Sequence, residues 1–257
     1  MLAERAGQKY PWPVISNALK LGKEMGVIDR IMWGSDAPCL LLTCTYQQQV
    51  DCIVDHCDFL TDDEMEADVI IINSCCFIND AKEESINTIL EMAEHKKDAN
   101  LKALIVTGCL AQRYQDEIRA EIPEVDAILG TNSYEDIVTA VHEALEGHAY
   151  KNFHTLEGLP SIRTKRTVTT GGHFAYLKIA EGCNKRCTYC IIPYIRGNYR
   201  SVPMEELVAQ AKELVAAGAK ELILVAQETT LYGVDLYGEK SLHKLLDALN
   251  EIPGLFW

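Results

Sequence analysis

The sequence has no long apolar run, no secretory leader pattern and fewer basic than acidic side chains, 24 against 38. No hydrophobic run approaches the roughly 20 residues that a membrane-spanning helix needs. The first five residues, Met-Leu-Ala-Glu-Arg, lack the basic-then-apolar order of a signal peptide. These absences argue against a membrane or secreted protein and predict a cytoplasmic one.

The ten cysteines in 257 residues are therefore predicted to be metal ligands or free thiols, because the cytosol keeps thiols reduced. A hydrophobic content of 48% is enough for one or two globular domains with a sizeable core.

The net charge of −14 is concentrated in residues 62–150, where 20 acidic side chains face 6 basic ones. An acidic surface repels phosphate backbones and favours basic protein partners. A merely solvated acidic face is the alternative. Direct binding of nucleic acid is not expected for this chain.

The densest cysteine cluster is Cys183, Cys187 and Cys190, spaced C-x3-C-x2-C. Iron–sulfur clusters are normally held by four cysteines, so a loop with three leaves one iron open for a small-molecule ligand. A zinc knuckle or a redox C-x2-C pair is the alternative. Zinc sites usually show two spaced pairs, and no cysteine occurs in the 67 residues after Cys190.

Strands and helices alternate from residue 69 onward, which predicts an α/β fold with a parallel sheet. Three strands are expected near Val69–Phe77, Leu101–Thr107 and Val125–Leu129, the first buried on both faces. A helix is expected over 80–97. Cys75 and Cys109 follow strand ends, so they should meet at the carboxyl edge of the sheet.

The second half of the chain predicts the first βα units of a barrel, after a linker at 151–172. The expected elements are a strand at His173–Ile179, a helix from Pro203 to Ala217, a strand at Glu221–Ala226 and a helix at Ser241–Asn250. A third strand should begin at Phe256.

Three segments together resemble the methylthiotransferase family of radical S-adenosylmethionine (SAM) enzymes across residues 62–257: Asn73-Ser74-Cys75, Thr107–Gln112 and the Cys183 loop. The resemblance implies a [4Fe-4S] cluster on Cys183, Cys187 and Cys190 that binds SAM, with Tyr189 among the cofactor-binding residues. It also implies a second [4Fe-4S] cluster, for which Cys75 and Cys109 match two of three ligands. The third, expected in a Gly-Cys-x-Lys-Asn context, is missing.

Within that family, Ala226–Gly233 with Asp235-Leu236-Tyr237 resembles the branch that methylthiolates an aspartate of a small-subunit ribosomal protein. The implied partners are a basic ribosomal protein, SAM and an electron donor. A tRNA methylthiotransferase and a non-catalytic iron–sulfur or zinc-binding protein are the alternatives.

Residues 10–60 instead resemble the C-terminal tail of the amidohydrolase superfamily, through Arg30–Asp36 and Cys57–Thr61. Asp36 would match a metal ligand there, but its histidine partners are lacking, so a turn or cap role is expected. Cys39 lies at the distance of the missing cluster ligand, in the wrong context. The remaining cysteines are expected to be buried or idle: Cys44, Cys52, Cys57 and Cys76.

These resemblances predict an amidohydrolase-like segment at 1–61, a methylthiotransferase N-terminal domain at 62–150, a linker at 151–172 and part of a radical SAM domain at 173–257. With about two of six barrel strands present, the chain alone is expected to be inactive. Basic residues bracket the cysteine loop and could hold carboxylates or RNA: Arg163, Lys165, Arg166, Lys178, Lys185, Arg186, Arg196 and Arg200. His173 is the histidine closest to that loop.

Overall fold

The structure is a computed structural model that describes residues 12–26, 52–53, 55–61, 67–98, 101–159 and 173–256. The chain divides into two compact units, residues 1–67 and 68–257. Several residues with a predicted role or resemblance lie outside the described residues: the segment Arg30–Asp36, Cys39, Cys44, Arg163, Lys165 and Arg166.

In the first unit, helix α1 spans Pro13–Glu24. It begins with a proline, whose missing N–H costs nothing in the first turn, and ends before Gly26, which has a φ of +67°. Cys52 and Cys57 are buried, as expected for cysteines without a ligand role. Burial raises the pKa of both thiols, which disfavours their reactive thiolate form.

The second unit begins with a parallel sheet of four strands in the order β1-β2-β3-β4. The strands are β1 (Val69–Ser74), β2 (Ala103–Gly108), β3 (Ala127–Leu129) and β4 (Tyr150–Asn152). Four helices connect them: α2 (Asn79–Asp98), α3 (Cys109–Arg113), α4 (Gln115–Glu121) and α5 (Ile137–Leu145). The predicted α/β fold with a parallel sheet is confirmed.

Strand β2 is an inner strand of this sheet, and both of its faces are covered. Leu104 and Val106 belong to the hydrophobic core on one side, and Ala103 and Ile105 belong to the core on the other. A strand covered on both faces reads as a continuous apolar run.

The expectation of burial on both faces was wrong for β1, which lies at the edge of the sheet that the described residues form. Ile70 and Ile72 pack on a core, but Ile71 points to the opposite face and is 43% exposed. The helix that covers this opposite face, α5, packs on β2 and β3. A run of β-branched residues therefore did not distinguish an edge strand from a central one.

Residues 151 and 152, at the start of the predicted linker, belong to β4. This strand pairs in parallel with β3, in the register Ala127↔Tyr150 and Leu129↔Asn152. Beyond it, Asn132 donates from its side-chain amide to the carbonyl groups of Thr155 (2.8 Å) and Gly158 (3.1 Å). The segment up to residue 158 is thus tied to the sheet.

The remaining elements form the predicted βα unit: strands β5 (Phe174–Lys178) and β8 (Glu221–Val225) pair in parallel. Between them lie β6 (Ala180–Glu181), α6 (Ile192–Arg196), β7 (Arg200–Ser201) and α7 (Met204–Ala216). After β8 come α8 (Val234–Tyr237) and α9 (Leu242–Asn250). Leu177, Leu207, Leu222 and Leu245 share one core. No strand begins at Phe256 among the described residues.

None of the helices in the described part of the chain combines the length and the apolar character that a membrane crossing requires.

Candidate metal centre

The cysteine loop is closed at its base by a short antiparallel ladder that the sequence did not predict. Strands β6 and β7 pair Ala180 with Ser201 and Glu181 with Arg200. Cys183 follows Gly182, whose φ is +78° and whose hypothetical Cβ would lie 2.6 Å from the Gly197 carbonyl oxygen. Glycine is therefore required at the point where the chain leaves the ladder and enters the loop.

The three thiols of the loop differ in exposure: Cys183 is buried, Cys190 is partly buried and Cys187 is exposed. Two backbone hydrogen bonds shape the loop, from Cys183 N to Gly197 O (3.1 Å) and from Cys190 N to Cys187 O (2.9 Å). Within the described ranges, no three His, Cys, Asp or Glu side chains are grouped as a set that could hold a metal ion. The ligand role of these cysteines stays a prediction.

The three thiols of the loop are nevertheless chemically suited to bind an iron–sulfur cluster. All three cysteines are free thiols, and thiolates are the donors that such clusters require. Residues 182–191 form no helix or strand, so the exposed Cys187 can turn inward without breaking a ladder. Arg186 has a φ of +48°, and such strain in a non-glycine residue clusters at ligand sites. The neighbouring Tyr189 is 88% exposed.

Cys75 and Cys109 lie at the same edge of the four-stranded sheet. Ser74 is in register with Gly108, so each cysteine is the first residue past a pair of adjacent strand ends. Cys75 is exposed and Cys109 is only 8% exposed. Cys76 is buried and its thiol donates to the Cys109 carbonyl oxygen (3.2 Å). Two of the predicted ligands of a second cluster are thus neighbours, and their ligand role stays a prediction.

We expect Gly108→Ala to destabilise the protein by about 1–3 kcal/mol more than Gly147→Ala. Both glycines have positive φ, +94° and +79°, so both variants carry backbone strain. Only at Gly108 would the new Cβ also clash, lying 2.6 Å from the Asn73 side-chain oxygen, whereas nothing lies within 4 Å at Gly147. Urea unfolding of the two variants measures the difference. Equal losses of unfolding free energy in the two variants would show that the structure around Gly108 adjusts to the added Cβ at little cost.

Three of the basic residues around the loop, Lys178, Lys185 and Arg196, contact carboxylates of the protein itself, in keeping with the expectation that these residues could hold carboxylates. Glu181 is buried, with its side chain 3% exposed, and pairs with Lys178. The Arg196 guanidinium lies 3.7 Å from the same carboxylate. Lys185 pairs with Glu228. A buried carboxylate needs such cations, since isolated burial of its charge is costly.

Glu228 is held ionised by its contacts, which lower its pKa to about 2. The first cause is its hydrogen bond with Lys185, and the second is its contact with Thr230, whose amide donates to Glu228 Oε1 over 2.9 Å. The pair connects the cysteine loop to the segment that follows β8.

We expect Glu228→Gln to lower stability at pH 6 by about 1 kcal/mol, a modest value because Lys185 is half exposed and solvent screens the pair. The folded-state pKa is below the unfolded value, so this contribution is present above about pH 4.5 and disappears as the pH falls towards about 2. Denaturant unfolding of both proteins from pH 6 to pH 2 should show the difference shrinking. Glu239→Gln, which breaks an exposed pair with Lys244, is the control and should have a smaller effect. A pH-independent difference would contradict this account.

Sequence reasoning missed Gln227, which lies just past the end of β8. Its side-chain oxygen accepts a hydrogen bond from the Gly182 amide (2.9 Å) and so holds the first turn of the cysteine loop. It also lines an open cleft with Lys178, Val225 and Ala226. The rule that ligands gather at the carboxyl ends of parallel strands could have indicated it. His173, by contrast, contributes its backbone oxygen to Lys220 and Glu221.

Two family models match the chain in tandem. The model described as "Uncharacterized protein family UPF0004" matches residues 40–130. The model of the radical SAM superfamily matches residues 177–254, which contain the cysteine loop and the cleft. The first match begins inside the segment at 10–60 that resembles an amidohydrolase tail, and that resemblance stays a prediction. The division at 61, 150 and 172 also stays a prediction.

Curated relatives are similar over 77% of the chain. Proteins called "Ribosomal protein uS12 methylthiotransferase RimO" from Lachnoclostridium phytofermentans and Clostridioides difficile are 63% and 51% identical over 198 residues. One from Desulforamulus reducens is 52% identical over 202 residues. Each alignment covers 77% of this chain and 45% of the relative. The chain thus spans about half the length of the curated relatives it matches.

Proposed function

We propose that this chain is a radical SAM methylthiotransferase that acts on an aspartate of ribosomal protein uS12. The observation that carries the proposal is the 63% identity to a uS12 methylthiotransferase, over an alignment long enough to include most of the second unit. The proposal places the protein in the cytoplasm, where ribosomal proteins are modified. The tRNA-modifying and non-catalytic alternatives have no observation of their own in their favour.

In this proposal Cys183, Cys187 and Cys190 hold a [4Fe-4S] cluster. With SAM bound and an electron supplied by a donor, such a cluster would provide radical chemistry able to remove hydrogen from an unactivated C–H bond. The protein would contribute position: Gly182 allows the loop to turn, and Gln227, which also lines an open cleft, holds that turn. Cofactors carry the chemistry of such enzymes and the protein orients them.

The proposed substrate is basic, which suits the acidic surface of the first half of the second unit. The described helix α2 has exposed carboxylates along its length, and residues 62–150 carry 14 more acidic than basic side chains. Complementary charge accelerates association and opposes binding of nucleic acid. An electron donor is the further partner that reductive cleavage of SAM requires.

The proposal is tested by measuring 5′-deoxyadenosine after anaerobic reconstitution with iron and sulfide, in the presence of SAM and a reductant. We expect the product to form, and to form faster with uS12 than with tRNA. Stimulation by tRNA alone would favour the tRNA-modifying alternative. No 5′-deoxyadenosine from protein that holds iron and sulfide would favour the non-catalytic one.

Transfer itself would add about 46 Da to uS12, the mass of SCH3 replacing H. We expect no such gain with these 257 residues alone, because the described part of the barrel has one parallel pair, β5 and β8. A gain on uS12 would refute that expectation and establish the reaction.

A further inference from the structure

Arg196 of α6 joins the half of the second unit that contains Cys109 to the half that contains the cysteine loop. Its Nη2 atom donates to Cys109 Sγ over 3.3 Å, and its Nη1 atom donates to the Tyr134 hydroxyl over 3.0 Å. Nη1 also lies 3.7 Å from Glu181 Oε2. Cys109 and Tyr134 belong to the first half, whereas Glu181 lies two residues before Cys183.

The guanidinium is enclosed rather than lying on an open surface. The exposed fraction is 23% for the Arg196 side chain and 3% for that of Glu181. The neighbouring Ile195 packs in the hydrophobic core of the first half, together with Cys109 and Leu110. Thr131 completes the attachment by donating its hydroxyl to the Ile195 carbonyl oxygen over 2.8 Å.

We propose that Arg196 is a positioning residue that holds Cys109 at a fixed place relative to the ladder from which the Cys183 loop emerges. A planar guanidinium with five N–H donors can serve a thiol, a hydroxyl and a carboxylate at once, which a lysine ammonium on a flexible stem does less well. Glu181 is the second part of this clamp, because a buried carboxylate restrains the cation beside it.

The importance of this clamp for the reaction rests on the proposed function, together with the second-cluster role that the family resemblance implies for Cys109. The clamp consists only of contacts between protein side chains and needs no bound cofactor. It can therefore be tested on protein without iron, and a wrong assignment of function would leave the result of that test unchanged.

The test measures alkylation of individual cysteines by iodoacetamide, followed by peptide mass spectrometry. A pH of about 9.5, above the ordinary thiol pKa of about 8.5, reduces the influence of thiol ionisation. Cys75, which is exposed, reports the reactivity of an open thiol, and Cys76, which is 3% exposed, reports local unfolding of the same sheet edge.

We expect Arg196→Met to increase alkylation of Cys109 by roughly tenfold, since a charge-assisted hydrogen bond no longer opposes opening. Arg196→Lys should give an intermediate rate of alkylation, because a single ammonium group cannot donate to all three partners of the planar guanidinium at once. The rates at Cys75 and Cys76 should not change. Arg113→Met, on the neighbouring helix α3, is the matched control and should leave the rate at Cys109 unchanged.

The decisive variant is Glu181→Gln, in the other half of the unit. We expect it to increase alkylation of Cys109 in the wild-type background and to have no further effect in the Arg196→Met background, because the two residues act through one clamp. An unchanged rate at Cys109 in Arg196→Met would overturn the proposal. So would additive effects of the two substitutions, or a parallel rise at Cys76, which would indicate general loosening of the fold.

Discussion

Replacing Cys183, Cys187 and Cys190 together by alanine is expected to abolish the visible absorbance of the reconstituted iron–sulfur protein. Each lost thiolate removes one of the few bonds that hold such a cluster, and several of the other cysteines that the structure describes are too buried to replace them. Cys52, Cys57 and Cys76 are each at most 3% exposed. Visible absorbance, together with iron and sulfide analysis, measures the loss.

Cys76→Ala is the matched control, since it removes a buried thiol that has no predicted ligand role. It should retain the full absorbance. If the wild-type protein instead held about one zinc and no sulfide, the loop would be a zinc site and the iron–sulfur prediction would be wrong.

Reconstituted protein is expected to hold about four iron atoms per chain rather than eight, counting four for each cluster. Cys75 and Cys109 are neighbours at the sheet edge, but two thiolates are one fewer than the family's second cluster requires. Cys109 is also covered by Arg196. The double variant Cys75→Ala/Cys109→Ala should therefore keep its four iron atoms, as measured by elemental analysis.

A content of about eight iron atoms per chain would contradict this expectation. A stable eight-iron protein that falls to about four iron atoms in Cys39→Ala would show that Cys39 supplies the third ligand despite its unusual sequence context. The variant Cys57→Ala removes a buried thiol from the same N-terminal unit and should leave the iron content unchanged in either case.

Elements with a strong local pattern were predicted from the sequence to within a few residues. Helix α2 and strand β2 are examples, because apolar periodicity and runs of β-branched residues depend on near neighbours. Strand β4 was missed because its three residues, Tyr-Lys-Asn, have no such pattern. It exists as a strand because β3 presents an edge with which it can pair. The ladder between β6 and β7 was missed for the same reason, since each of its strands has two residues.

The sequence by itself determined the chemistry that the chain offers. The spacing of Cys183, Cys187 and Cys190 is set by the sequence alone. The sequence also places a glycine directly before Cys109 and another directly before Cys183, where the backbone has a positive φ. The order of strands and helices likewise placed Cys75 and Cys109 at one edge of a parallel sheet.

Only the tertiary structure decided which charged side chains face one another. Arg196 and Cys109 are 87 residues apart in sequence, and no local pattern relates them. They meet because Ile195 is buried in the core of the first half, which brings α6 against α3. From the sequence alone, Arg196 would be expected on the surface. Burial of its neighbour Ile195 brings it next to Glu181 and Cys109, which are buried and need a hydrogen-bond donor.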